Sequence, residues 1–174
     1  MKTNKLLFLL TLILPLAIAA GTAIAQTTER ASLTTGPSGQ PLPRFVSLDA
    51  NEANLRTGPN KRFPILWVYK RSGWPFLVTG ENGVWRRVRD KDGIEGWMHV
   101  GLLSSQRMAV VTGDWRLLTA KSAPNSRQVV RAEPGVVGRL DRCRGGRCRL
   151  TIDGRSGWLG QEEFWGAFRD EELD

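Results

Sequence analysis

The sequence predicts an all-β protein built from two small barrels in tandem, and three observations carry that reading. Apolar residues come in short runs, Ile65-Leu66-Trp67-Val68-Tyr69, Phe76-Leu77-Val78 and Val84-Trp85-Arg86-Arg87-Val88, with no helical period. Asn82-Gly83 and Asp92-Gly93 then read as hairpin turns, because both central positions of a type I′ turn need φ > 0. The turns also recur. Asn82-Gly83 meets Gly145-Gly146 at a shift of 63, Gly73 meets Gly135 at 62, and Gly96-Trp97 meets Gly157-Trp158 at 61. Asp92-Gly93 meets Asp153-Gly154 at that last shift, and small offsets between matching turns mark a diverged repeat.

Taken in order, Lys2 and Lys5 precede an apolar run from Leu6 to Ala20, and Ala23-Ile24-Ala25 offers a small-residue cleavage site. Residues 1–25 are therefore expected to be a signal peptide cut before Gln26. The run falls short of the ~20 apolar residues that span a bilayer. No stable membrane anchor is expected after cleavage, and the mature chain is expected in the periplasm or outside the cell. Residues 26–43 are rich in Thr, Ser, Gly and Pro and read as a disordered linker. Residues 44–106 and 107–168 form the two repeat units, and 169–174 an acidic tail. A short helix is expected within Glu162–Phe168, with its acids at the positive end of the dipole.

The run Asn54-Leu55-Arg56-Thr57-Gly58-Pro59, the central Val84-Trp85-Arg86-Arg87-Val88, and Gly96-Trp97 followed by Leu102-Leu103 resemble a bacterial SH3-like (SH3b) domain. They are closest to the exported SH3-like proteins of Gram-negative bacteria. The second unit is the divergent one: Trp115-Arg116-Leu117-Leu118-Thr119 stands where the first has its Asn-Leu-Arg-Thr motif. The resemblance implies an SH3-like barrel for each unit. It also implies that Asn54, Gly58 and Pro59 are fold residues, and that Trp97 and Trp158 lie in the cores at the last strands.

Cys143 and Cys148 are the only cysteines. With Gly145-Gly146 as a two-residue turn, they form a non-hydrogen-bonded cross-strand pair with Cα atoms ~4.5 Å apart, within disulfide reach. An exported chain meets oxidising conditions, so a structural bridge is expected. The formal net charge is +8. Residues 44–155 hold 21 basic and 10 acidic side chains, whereas six acids and one arginine follow. The surplus is first read as Lys and Arg solvating the outer faces of small barrels. The functional alternative is attraction for wall polymers or lipopolysaccharide phosphates, with nucleic acid not expected for an exported chain.

Trp67 reads as core, and Trp74, between Gly73 and Pro75, as an exposed loop tip beside basic residues. Trp85 shares a strand face with Arg87 and Arg89, which is a groove face if Val88 points inward. Matching that strand to Cys148, Leu150 and Ile152 argues for the opposite, so its orientation stays open here. Arg56, Trp74, Trp85 and Arg87 are the candidate ligand contacts.

Catalysis is not expected. His99 is the only histidine, both cysteines are spoken for, and Asp90 and Asp92 suit turn chemistry. No phosphate loop or metal-ligand spacing occurs, so no cofactor and no metal are expected. The resemblance implies a binder of cell-wall peptidoglycan or of an envelope protein. An adaptor in a periplasmic envelope complex is the alternative, and a broad apolar patch would favour it.

Overall fold

The computed structural model describes residues 34–174. The expected signal peptide lies outside them. In the first module the strands are β3 (Arg44–Leu48), β4 (Ala53–Arg56), β5 (Ile65–Tyr69), β6 (Pro75–Asn82), β7 (Trp85–Arg89), β8 (Glu95–His99) and β9 (Leu103–Ser104). A 3₁₀ turn, Val100–Leu102, joins β8 to β9. The second module repeats this plan with β10 (Met108–Val111), β11 (Arg116–Thr119), β12 (Gln128–Ala132), β13 (Val137–Arg144), β14 (Arg147–Ile152), β15 (Arg155–Gly160) and β16 (Phe164–Trp165). Here Gln161–Glu163 is the 3₁₀ turn, and the helix expected across 162–168 gives way to β16.

The two sheets have the same strand order: β5-β4-β8-β7-β6-β3-β9 and β12-β11-β15-β14-β13-β10-β16. Their irregularities also coincide. The β4–β5 register shifts between Leu55 and Arg56, and the β11–β12 register between Leu118 and Thr119. A second shift separates Val78 from Gly80 on β6 and Leu140 from Arg142 on β13. The repeat is thus structural as well as sequential. The sheets are open, however: their outermost strands do not pair with each other, so the closed barrels expected from the sequence are not formed.

Each sheet folds over its own core. Leu48, Leu55, Phe76, Val78, Val88 and Met98 fill the first, and Val111, Leu118, Leu140, Leu150 and Leu159 the second. The Gly-Trp pairs work through their glycines. A Cβ on Gly96 would lie 2.6 Å from Leu55 Cγ, and one on Gly157 would lie 2.6 Å from Leu118 Cβ. Neighbouring Trp97 and Trp158 are half-buried on the outer face, because Gly96 and Met98 take the inward positions of β8. The expectation that these tryptophans are core residues is corrected by that alternation.

Turn chemistry differs from expectation in the first module. Asn82 pairs with Trp85, so the two-residue loop is Gly83-Val84, with Gly83 at φ +53°. Asp90 to Ile94 make a longer loop in which only Gly93 takes positive φ. In the second module Gly145-Gly146 and Asp153-Gly154 both have two positive φ values, as a type I′ turn requires.

Of the linker expected to be disordered at 26–43, residues 26–33 lie outside the described residues, and 34–43 are structured. β1 (Thr34–Thr35) and β2 (Pro41–Leu42) form a small hairpin lying against β6. The modules meet through Phe45, whose ring sits 5.2 Å from that of Trp165 and 4.9 Å from that of Phe168. Arg107 stacks over Phe45 and pairs with Glu171, which ties the acidic tail into the same junction. Leu173 continues the tail by bridging to Cys143.

Because the glycine contacts fix how closely β8 approaches β4, Gly96→Ala and Gly157→Ala should each destabilise the protein by about 1–3 kcal/mol. Urea denaturation checks this. A loss below about 0.5 kcal/mol in both variants would contradict the close-approach account.

Candidate functional site

The register of β7 decides which side chains reach the surface. Arg86 and Val88 are buried and face inward, while Arg87 and Arg89 are exposed and Trp85 half-exposed on the outside. Trp85 pairs with His99 across the β7–β8 ladder, and their rings meet edge to face at 5.6 Å. Arg56 lies beyond, on β4, bridged to Trp97. Trp85, His99 and Arg56, with Glu52, Asn54, Lys61 and Leu102, line a shallow cleft of about 280 Å³. An aromatic floor thus has two cations and one carboxylate around it.

Local structure holds these groups in place. The Arg56 guanidinium donates to the Phe63 carbonyl at 2.8 Å, and the Thr57 N–H donates to the Pro64 carbonyl, pinning the loop after β4. The Phe63 ring lies over Gly58, where a Cβ would come within 2.6 Å of it. This contact gives Gly58 its place in the motif. His99 Nδ1 accepts from the Gly101 N–H at 3.1 Å and caps the 3₁₀ turn, leaving its ring against Trp85.

The four residues singled out in the sequence do not form one site. Arg56 and Trp85 share the cleft. Arg87 is on the same outer face but pairs with Glu95 at 2.8 Å. The Arg89 hydrogen bond, then the Arg89 and Arg87 charges, hold the Glu95 carboxyl below its usual range against the opposing effect of burial. Trp74 is not an exposed loop tip: it packs against the first core and its Nε1 is buried. It lines a separate cleft of about 340 Å³ with Trp67 and Ile94. Trp67 itself is 51% exposed rather than core, because β5 is an edge strand. Asp90 is not a solvated turn acid either. It is 3% exposed, accepts from Tyr69 Oη at 2.7 Å and from the N–H groups of Asp92 and Ile94. Burial and that bond push the Tyr69 hydroxyl pKa up.

Sequence reasoning missed His99, Lys61 and Glu52 as cleft residues. The signal for His99 was the β7–β8 pairing, which needs the correct turn.

At the far end of the β6–β7 hairpin, Glu81 and Arg86 hold the positions that Cys143 and Cys148 hold in the second module. The disulfide is formed between the buried Cys143 and Cys148, with Cα atoms 4.0 Å apart. In the first module, the Glu81 carboxylate accepts from Ser38 N–H at 2.8 Å, Ser38 Oγ at 2.7 Å and Arg44 Nη2 at 2.8 Å. Arg86 Nε is 3.2 Å away. Burial alone would raise the Glu81 pKa, but these donors and the Arg86 charge bring it down to about 2. Among the described residues no cluster of His, Cys, Asp and Glu could hold a metal ion.

Comparison with known proteins places this architecture. The family model for the bacterial SH3 domain matches residues 49–105 and again 119–166. The chain belongs to the bacterial SH3 domain family. The second match of this SH3b chain starts after β11 has nearly ended, where its motif has diverged. Among solved structures, NlpC1 of Trichomonas vaginalis aligns over 76% of this chain and 49% of its own, with 12% identity and a TM-score of 0.35. NlpC2 of the same organism aligns over 70% and 47%, with 10% identity and a TM-score of 0.34. The SH3b chain spans about half the length of those two, a likeness too low to bear on its activity. No curated protein matches the sequence.

The depressed Glu81 pKa has a defined pH consequence. Its folded value lies below the unfolded one, so its contribution is present above about pH 4.5 and is lost as pH falls through about 2. Glu81→Gln should cost about 1–3 kcal/mol at pH 6 and progressively less toward pH 2, by paired denaturation curves. A difference that does not change with pH would contradict the assignment.

Proposed function

We propose that this SH3b chain is a non-catalytic, exported binding protein that attaches to peptidoglycan through the first module. One observation carries the reading: the Trp85–His99 ring pair is flanked by Arg56, Lys61 and Glu52 in a single outward cleft. Peptide stems of the wall carry free carboxylates, amines and short aliphatic side chains. Arg56 and Lys61 suit the carboxylates, Glu52 suits an amine, and the ring faces suit the apolar parts. Membership of the bacterial SH3 family is consistent with such a ligand. The basic body adds attraction for an anionic wall without supplying specificity.

The absence of chemistry in this reading rests on the groups themselves. His99 is committed to capping a turn, and the two cysteines are joined to each other. The alternative, an adaptor within an envelope complex, is favoured by a different feature, the exposed apolar strand β5.

The test is a pull-down of the purified protein on peptidoglycan sacculi at low and high salt. Binding should persist at high salt, fall at least about tenfold in Trp85→Ala, and survive in Trp115→Ala, which removes an exposed tryptophan of the second module. The sacculi should release no soluble fragments during incubation. Binding that vanishes with salt and ignores Trp85 would leave only nonspecific attraction, and released fragments would overturn the non-catalytic reading.

A further inference from the structure

Strand β5 is unusual for an edge. Ile65, Leu66, Trp67 and Val68 are 50%, 47%, 51% and 37% exposed, and Phe63 just before them is 37% exposed. The strand pairs with β4 on one side only. Among the described residues, no hydrogen bond reaches residues 65–68 from beyond that pairing. Edge strands of soluble proteins are ordinarily blunted by charge, proline or cover. The matching edge in the second module follows that rule. There Gln128 stands for Ile65 and Arg131 for Val68, and Arg131 lies over the Trp115 ring at 4.5 Å. The first module carries apolar residues at all four positions, whereas its own repeat places Gln128 and Arg131 on either side of Val129 and Val130.

The surroundings say what such an edge would take. Trp67 and Val68 run into the 340 Å³ cleft that Trp74 and Ile94 line, so one side chain of an added strand has a pocket beside the ladder. Basic residues stand at both ends: Lys61 and Arg62 before β5, Lys70 and Arg71 after it. Lys61 and Arg62 have no acidic partner among the described residues. Lys70 is 3.8 Å from Glu52 with both side chains exposed, Lys91 pairs with Asp92, and Asp90 is held by Tyr69. Arg71 donates to the Gly135 carbonyl and keeps its charge. A second copy of this chain fits poorly. Antiparallel self-pairing about Trp67 would bring the Lys61-Arg62 end of one copy against the Lys70-Arg71 end of the other.

We propose that β5 is a docking edge for a partner protein, which adds an extended strand with apolar residues in its middle and acidic residues at both ends. The backbone ladder supplies the attachment, the Trp67–Trp74 cleft one side-chain pocket, and the flanking cations the choice of partner. The β5 ladder and the Trp67–Trp74 cleft lie apart from Trp85 and His99, and Lys61 borders both surfaces.

The probe is a capped ten-residue peptide of alternating Val and Thr with two acidic residues at each end. Binding to the full protein is followed by tryptophan fluorescence and by amide exchange at residues 65–68. The peptide should bind, protect amides of β5, and bind at least about tenfold more weakly to the Ile65→Gln/Val68→Arg double variant. Both changes copy the second module at exposed positions, so the fold is retained. The same peptide with lysine ends should bind at least about tenfold more weakly, and Trp85→Ala should leave binding unchanged. Equal binding by acidic and basic peptides would overturn the charge assignment. No protection at 65–68, or equal binding by the double variant, would overturn the edge. If the wild-type protein sediments as a dimer that the double variant dissolves, the occupant is a second copy and the proposal fails.

Discussion

Two glycines set how tightly each sheet folds over itself. Gly96 and Gly157 let β8 and β15 cross the leucines of β4 and β11 at a distance no other residue permits. That approach fixes the rest of the strand by alternation. With Gly96 and Met98 inward, Glu95, Trp97 and His99 must face out. The neighbouring strand answers in register, putting Trp85 opposite His99 and Arg87 opposite Trp97. The outward cleft is therefore a consequence of a packing constraint at Gly96, three residues before His99.

The two modules solve one problem with different chemistry. The end of the long β6–β7 hairpin, like that of β13–β14, presents a cross-strand pair toward the interior. In the second module the pair is a disulfide, covered by Leu173 of the tail. In the first it is Glu81 and Arg86, covered by the β1–β2 hairpin through Ser38 and joined by Arg44. A buried carboxylate is tolerated only when paired and hydrogen-bonded, and Glu81 has several donors. Each terminus of the described chain thus acts as a cover for the module nearest to it.

The sequence carried the all-β class and the repeat because both rest on local signals: turn dipeptides, short apolar runs and a recurring Gly-Trp. The disulfide was legible for the same reason, since Gly145-Gly146 takes the turn its composition suggests. What failed was register. Asn82-Gly83 is a strong turn signal, yet the loop is Gly83-Val84, one residue later. A slip of one residue turns every side chain over. It set Trp85, instead of Arg86, against Cys148, so the orientation of Trp85 stayed open. His99 went unnoticed as its neighbour because a two-residue Asp92-Gly93 turn pairs His99 with Arg86, whereas the longer Asp90–Ile94 loop pairs it with Trp85. Trp67 was misplaced for another reason: an apolar run ordinarily marks a core strand, and nothing local distinguishes an exposed edge. The ordering of residues 34–43 depends on Ser38 meeting Glu81, a contact 43 positions away that composition does not reveal.

The most direct test is an NMR titration of the protein with soluble peptidoglycan stem peptides, following backbone amides and the tryptophan Nε1–H signals. The account predicts saturable shifts confined to residues 52–56, Lys61, Trp85 and His99. Shifts confined to β5 and the Trp67–Trp74 cleft, or no shifts at any concentration, would contradict it.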